Sequence, residues 1–156
     1  MDIIIGIGEY KISNNPEDVL KTMALASCVG ITFYSPIKKI AGMIHIALPF
    51  PNKSTINIDK PSYFATTGIP IIVNNMTKEY GCLKSELSVQ IFGGANSINE
   101  KDFFKIGRKN IESVKNVLNE MNLKVDNTDV GGYVSRTLLM DVYSGDINVL
   151  TQPIKI

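Results

Sequence analysis

Val29-Gly30-Ile31-Thr32-Phe33-Tyr34 and, after the Ser35-Pro36 turn, Ile40-Ala41-Gly42-Met43-Ile44-His45-Ile46-Ala47-Leu48 are two apolar runs rich in branched and aromatic residues. That composition favours strand, and the short turn between them, with Lys38 and Lys39 exposed, makes the pair a hairpin. Leu25-Ala26-Ser27-Cys28 leads into the first run, and the only histidine of the chain, His45, lies toward the end of the second. In an antiparallel hairpin these are the same end. The spacing therefore permits a thiol and an imidazole to meet, a nucleophile beside a base.

Outward from the hairpin, residues 2–8 read as a short strand ending in Gly6-Ile7-Gly8. Asn14-Asn15-Pro16-Glu17-Asp18 reads as a turn, with Asn15 as helix cap and Pro16 at a first helical position, starting one helical turn into Leu20, Lys21 and Thr22. Pro49-Phe50-Pro51 stops the second strand, and a polar loop follows. Residues 62–80 have a helical pattern, with Phe64, Ile71, Ile72, Met76 and Tyr80 on one face and a kink or restart expected at Pro70.

Residues 86–92 alternate as a strand that ends in Gly93-Gly94-Ala95-Asn96. Asn99 to Asn122 is the clearest helix, with Phe104, Gly107, Ile111, Val114, Leu118 and Met121 as its buried stripe. Residues 123–130 form a strand up to Gly131-Gly132, and residues 135–142 and 147–150 a closing hairpin. So many hairpin connections, with two long helices, point to an α+β protein. Its sheets are mixed or antiparallel and helix-covered, unlike a Rossmann-type fold.

The 156 residues read as one domain, 1–156, with 44% apolar and 20% charged residues. A net charge of +1, spread along the chain, gives no footprint for nucleic acid. The first residues lack the pattern of a signal peptide, and no run has the length of a membrane span, so a cytoplasmic protein without membrane insertion is expected. Two cysteines and one histidine, without CxxC spacing, make a disulfide framework or a structural zinc site a poor fit.

A cysteine beside an apolar run is ordinarily packing, and a histidine inside one is ordinarily a half-buried ring satisfied by a carbonyl. Two features favour chemistry here. Ala26 and Ser27 are small, so backbone N–H groups near Cys28 are approachable as an oxyanion hole, and an adjacent imidazolium would make the Cys28 thiolate available. A catalytic histidine also needs an acceptor on its second nitrogen; Thr22 is one option among many. Gly93-Gly94 and Gly131-Gly132 fit no phosphate-binding motif and read as tight turns, some of them lining a cleft. Cys82 reads as incidental, and Asp129 with Arg136 as an internal ion pair or a catalytic pair.

Taken in order, these motifs resemble the chemoreceptor glutamine deamidase (CheD) family of chemotaxis. The matching elements are Gly6-Ile7-Gly8-Glu9-Tyr10, Thr22 to Val29 with its Ser-Cys-Val, and Gly42 to Pro49 around His45. Tyr63 to Met76, Phe92-Gly93-Gly94-Ala95, Ile106-Gly107 with Asn110, and Asp129 to Gly132 with Arg136 follow. The resemblance implies a three-layer α/β/β sandwich and hydrolysis of glutamine side chains on methyl-accepting chemoreceptors, without metal or organic cofactor. It also implies Cys28 as nucleophile, His45 as base and Thr22 as third member. Ser27, Phe92, Gly93 and Gly94 are candidates for the oxyanion and substrate cleft, and a CheC-type chemotaxis phosphatase is a candidate partner. The sequence departs from the family pattern at Ala26, where glycine is usual, at Ile44, and at Ser135 before Arg136. A module that binds receptor or phosphatase without catalysis, and a redox-active thiol, are the alternative readings.

Overall fold

The computed structural model describes residues 1–97 and 105–154. The expected hairpin forms from β4 (Val29–Ser35) and β5 (Ile40–Ile46), both buried along their whole length. Full burial explains their continuous apolar character: one face meets helices and the other meets a second sheet. Their antiparallel register sets Val29 opposite Ile46 and Gly30 opposite His45.

The hairpin lies inside a five-stranded sheet of order β2-β5-β4-β6-β7, completed by β2 (Tyr10–Ser13), β6 (Ser88–Gly93) and β7 (Val125–Val130). A four-stranded sheet of order β1-β3-β8-β9 consists of β1 (Asp2–Ile4), β3 (Val19–Leu25), β8 (Val134–Asp141) and β9 (Ile147–Pro153). β1–β3 and β6–β7 are parallel and the other pairs antiparallel, so both sheets are mixed. Helices α1 (Ala65–Asn74) and α2 (Ile106–Glu120) pack on the side of the five-stranded sheet away from the other sheet, burying Ile31, Phe33 and Ile44 against Ile69, Ile72 and Val114. Between the sheets a second core joins Leu20, Leu25, Met43, Phe92, Leu138 and Met140. This is the α/β/β sandwich that the family resemblance implies.

Several local expectations are corrected. The segment after Asn15 is not helical: Asn15 Oδ1 accepts the Glu17 N–H at 3.1 Å in a turn, and β3 begins at Val19. Leu20 and Thr22 are buried while Val19 and Lys21 are half-buried, a period of two that seats β3 between β1 and β8. Strand β2 was not singled out by sequence; its four residues owe their conformation to pairing with β5. α1 runs through Pro70, because the carbonyl deprived of a donor belongs to exposed Thr66, and a π-helical stretch, Asn75–Glu79, follows. Its buried face is Ala65, Gly68, Ile69, Ile72, Val73 and Met76, with Ile71 exposed. Within the described residues the long helix starts at Ile106; Asn99 and Phe104 lie outside them.

Candidate active site

Thr22 and His45 come from different sheets and meet in the space between them. Thr22 Oγ1 lies 2.7 Å from His45 Nδ1 and 2.7 Å from the carbonyl oxygen of Ile5, and both side chains are buried. One hydroxyl has one proton. The carbonyl can only accept it, so the hydroxyl donates to Ile5 and accepts from the imidazole, which places the ring proton on Nδ1. The lone pair is then on Nε2, and Nε2 is buried without a partner. Backbone bonds lock the frame around the ring: Gly8 N–H donates to His45 O at 2.9 Å, His45 N–H to Glu9 O at 3.1 Å, and Ile5 N–H to Lys21 O at 2.7 Å. The Gly6–Glu9 loop is thus the edge support of His45, and Gly8 sits at φ +76° where Tyr63 and Lys60 crowd it.

Cys28 precedes β4 by one residue, on the same face as Gly30, which is directly opposite His45. It is therefore a diagonal cross-strand neighbour of the imidazole. No hydrogen bond joins the thiol to Nε2 in this structure. Gly94 N–H donates to Cys28 O at 2.8 Å, and Ala95 N–H to Ala26 O at 2.7 Å. A Cβ on Gly93, at φ +100°, would lie 2.3 Å from Cys28 O, so only glycine lets β6 approach the cysteine backbone this closely. From α2, the buried Asn110 donates through Nδ2 to Ser27 O at 2.9 Å and to Ala47 O at 3.0 Å.

A sequence profile described as "CheD chemotactic sensory transduction" matches residues 47–151. A protein of Desulforamulus reducens named "Probable chemoreceptor glutamine deamidase CheD" is 35% identical over 99% of this chain and 95% of its own length. This chain belongs to the CheD family. A protein of the same name from Syntrophotalea carbinolica is 41% identical over 95% of this chain and 93% of its own, and one from Caldanaerobacter subterraneus 37% over 96% and 91%. The profile match begins beyond His45, whereas these full-length relatives extend over most of the chain. The fold is shared with Bacillus licheniformis YfiH (TM-score 0.53, 13% identity, 78% of this chain) and Geobacillus stearothermophilus YlmD (TM-score 0.51, 13% identity, 78%). This chain spans about half the length of those two structures, 49% and 48%.

Burial sets the protonation states of this CheD-family site. Desolvation pulls His45 down to about 4, and it pushes the Cys28 thiol above its ordinary value. Thr22 supplies no negative charge to offset the imidazole's burial. At neutral pH the free protein therefore holds neutral thiol and neutral imidazole, rather than the thiolate and imidazolium expected from proximity alone.

Ala26 and Ser27, which precede Cys28 in the chain, line with Ala95, Asn96 and Ile106 a cavity of about 420 Å³ whose walls do not include Cys28. A neighbouring cavity of about 640 Å³ extends past Ala24, Ala26, Ser135 and Gln152. Ser27 stands on the first wall. Phe92 is buried in the core between the sheets, and Gly93 and Gly94 are buried beneath Cys28, so these three line neither cavity. The family departures lie off the Thr22–His45 relay, although Ala26 lines both cavities and Ser135 the second. Ala26 is not a left-handed position; the left-handed residue is Ala24, at φ +53°, in a bulge of β3 after Thr22. Ile44 faces the helices. Arg136 pairs with Asp129 at 3.2 Å and donates to Gly131 O at 3.0 Å, a structural tie. Cys82 is buried in the helix-side core. Among the described residues no cluster suits a metal, and no helix is long and apolar enough to cross a membrane.

Sequence reasoning left Asn110 and the Ile5 carbonyl out of the site. Asn110 carried two signals: its place in the family motif after Ile106-Gly107, and its being a polar residue three after Gly107 and four before Val114, inside the buried stripe of α2.

Proposed function

We propose that this chain is a cytoplasmic cysteine-dependent protein-glutamine deamidase that converts glutamine side chains of chemoreceptors to glutamate. The observation that carries the reading is the relay from Ile5 O through Thr22 Oγ1 to His45 Nδ1, which leaves a buried, unpartnered Nε2 lone pair at the Cys28 end of the hairpin. The names of the full-length relatives supply the substrate class.

Nε2 takes the Cys28 proton as Sγ attacks the carboxamide carbon. A C–S bond forms, and the C=O electron pair moves onto oxygen. Backbone N–H groups at Ser27 and Cys28 are the nearest donors for that oxyanion, each worth about 3 kcal/mol in comparable sites. Among the described residues, no hydrogen bond from either amide is found. The tetrahedral species collapses and the C–N bond breaks. The imidazolium proton leaves on ammonia, and a Cys28 thioester remains. Water, deprotonated by Nε2, attacks the thioester; the C–S bond breaks, the thiol regains its proton, and glutamate is released. Thr22 holds the tautomer in both halves. The chemistry needs no metal or organic cofactor. Because base and nucleophile start neutral, proton transfer accompanies attack rather than preceding it.

Incubation with a chemoreceptor cytoplasmic domain, followed by mass mapping of Gln-to-Glu conversion, tests this. Conversion is expected with the wild-type chain and none with Cys28→Ala. Conversion that survives Cys28→Ala contradicts the mechanism. Receptor or CheC-type phosphatase bound without any conversion would make the chain a docking module.

A further inference from the structure

We propose that Asn110 is a positioning residue for deamidation. It clamps the Ser27–Cys28 peptide so that the Cys28 N–H faces the developing oxyanion. The inference rests on the reading of Cys28 as nucleophile.

Asn110 is 0% exposed, yet it belongs to the helix layer and not to the sheets it serves. Its two Nδ2 hydrogens reach Ser27 O at 2.9 Å and Ala47 O at 3.0 Å. Ser27 lies two residues before β4 and Ala47 one residue after β5, where the hairpin's own ladder has ended. The side chain thus bridges the strand that carries the nucleophile to the strand that carries the base. Two acceptor carbonyls fix which end of the amide points at them, so the Nδ2 assignment follows from the partners.

A trans peptide carries its C=O and N–H in opposite directions, and among the described residues there is no cis bond. Holding the Ser27 carbonyl toward α2 therefore turns the Cys28 N–H away from α2. The next carbonyl, Cys28 O, is held by Gly94 N–H at 2.8 Å. With both flanking carbonyls anchored, the Cys28 amide cannot rotate to find another partner. α2 itself is seated at a fixed height: a Cβ on Gly107, one turn before Asn110, would lie 2.2 Å from Ala95 O.

A second observation points the same way. Among the described residues, the buried side-chain polar atoms without a partner are His45 Nε2 and Asn110 Oδ1. Buried polar groups are ordinarily satisfied, and exceptions gather where chemistry is done. Here one orphan belongs to the base. The other belongs to the group that ties the nucleophile's peptide to the base's strand. The fold tolerates an unsatisfied oxygen at Asn110 in order to keep two donors on those carbonyls.

Alkylation separates positioning from simple support. Displacement of iodide by the Cys28 thiolate develops no oxyanion, whereas deamidation does. In Asn110→Ala and the milder Asn110→Ser, kcat for receptor deamidation should fall about 10²- to 10³-fold, the cost of one lost oxyanion donor. KM and the rate of Cys28 alkylation by iodoacetamide should stay within about threefold of wild type. An unchanged kcat overturns the proposal. So does an equal fall of kcat and alkylation, which would mean the thiol itself has been displaced. Rapid labelling of buried Cys82 in both variants would make Asn110 a fold-holding residue and likewise overturns it. Absence of deamidation by the wild-type chain, or its survival in Cys28→Ala, is a separate result that strikes the underlying reading.

Discussion

On the helix-facing side of β4 and β5 lie Val29, Ile31, Phe33, Ile40, Ile44 and Ile46, all buried and all apolar. On the other side the same two strands present Gly30, Met43 and His45, with Cys28 just beyond the strand end and Thr22 reaching across from the second sheet. The two cysteines divide the same way. Cys82 is sealed in the helix-side core, while Cys28 is half-buried beside the core between the sheets. Side chains alternate along a strand, so a single hairpin can give one face to cohesion and the other to reactivity. The apolar face has no polar atom to satisfy. The reactive face holds an imidazole that burial keeps neutral, and its cost is partly met by the Thr22 relay.

Substitutions on the two faces should therefore fail in different ways. Phe33→Ala, on the helix side, should cost about 3 to 5 kcal/mol in urea denaturation, because a fully buried ring leaves a cavity. Deamidation per folded molecule should change little. A Phe33→Ala protein that folds normally but turns over poorly would break the division.

The pH dependence reports the reactive face. In the unfolded chain His45 takes a proton near 6.5, but in the folded chain only at about 4. Above 6.5 both states are neutral and the histidine contributes no slope. Between those values the unfolded state holds the extra proton, so stability falls as pH falls, by about 3 kcal/mol in all. His45→Gln should flatten that part of the stability–pH curve; an unaltered slope would assign it to other groups. Smallest of the three is Thr22→Val, which keeps shape and loses the hydroxyl. It should lower kcat about 10²-fold by freeing the imidazole tautomer, with Thr22→Ser restoring most of it. Activity retained by Thr22→Val would mean that Thr22 acts by packing alone.

How much of this was legible depended on how local the cause was. The hairpin and its shared Cys28–His45 end follow from composition and turn length within twenty residues. Thr22 does not: its partner is on another sheet, and only the ordered family motifs pointed to it. The stretch before it misled because Pro16-Glu17-Asp18 carries helix-start chemistry. In the structure that chemistry serves a turn, with Ser13 Oγ donating to Asp18 at 2.7 Å. Ala26 stands where glycine is usual in the family, yet the left-handed residue is Ala24, placed by a bulge that period-two reading does not register. Asn110 is marked by the family motif but not its role, because a helix stripe is read by its apolar members and its partners are backbone carbonyls that no sequence pattern marks.

The division between the faces is tested most directly by following deamidation while the protein is titrated with iodoacetamide and its two cysteines are mapped by mass. Activity should fall in proportion to the fraction of Cys28 alkylated, with Cys82 unlabelled throughout. Receptor glutamines still converted by protein fully alkylated at Cys28 would contradict the account.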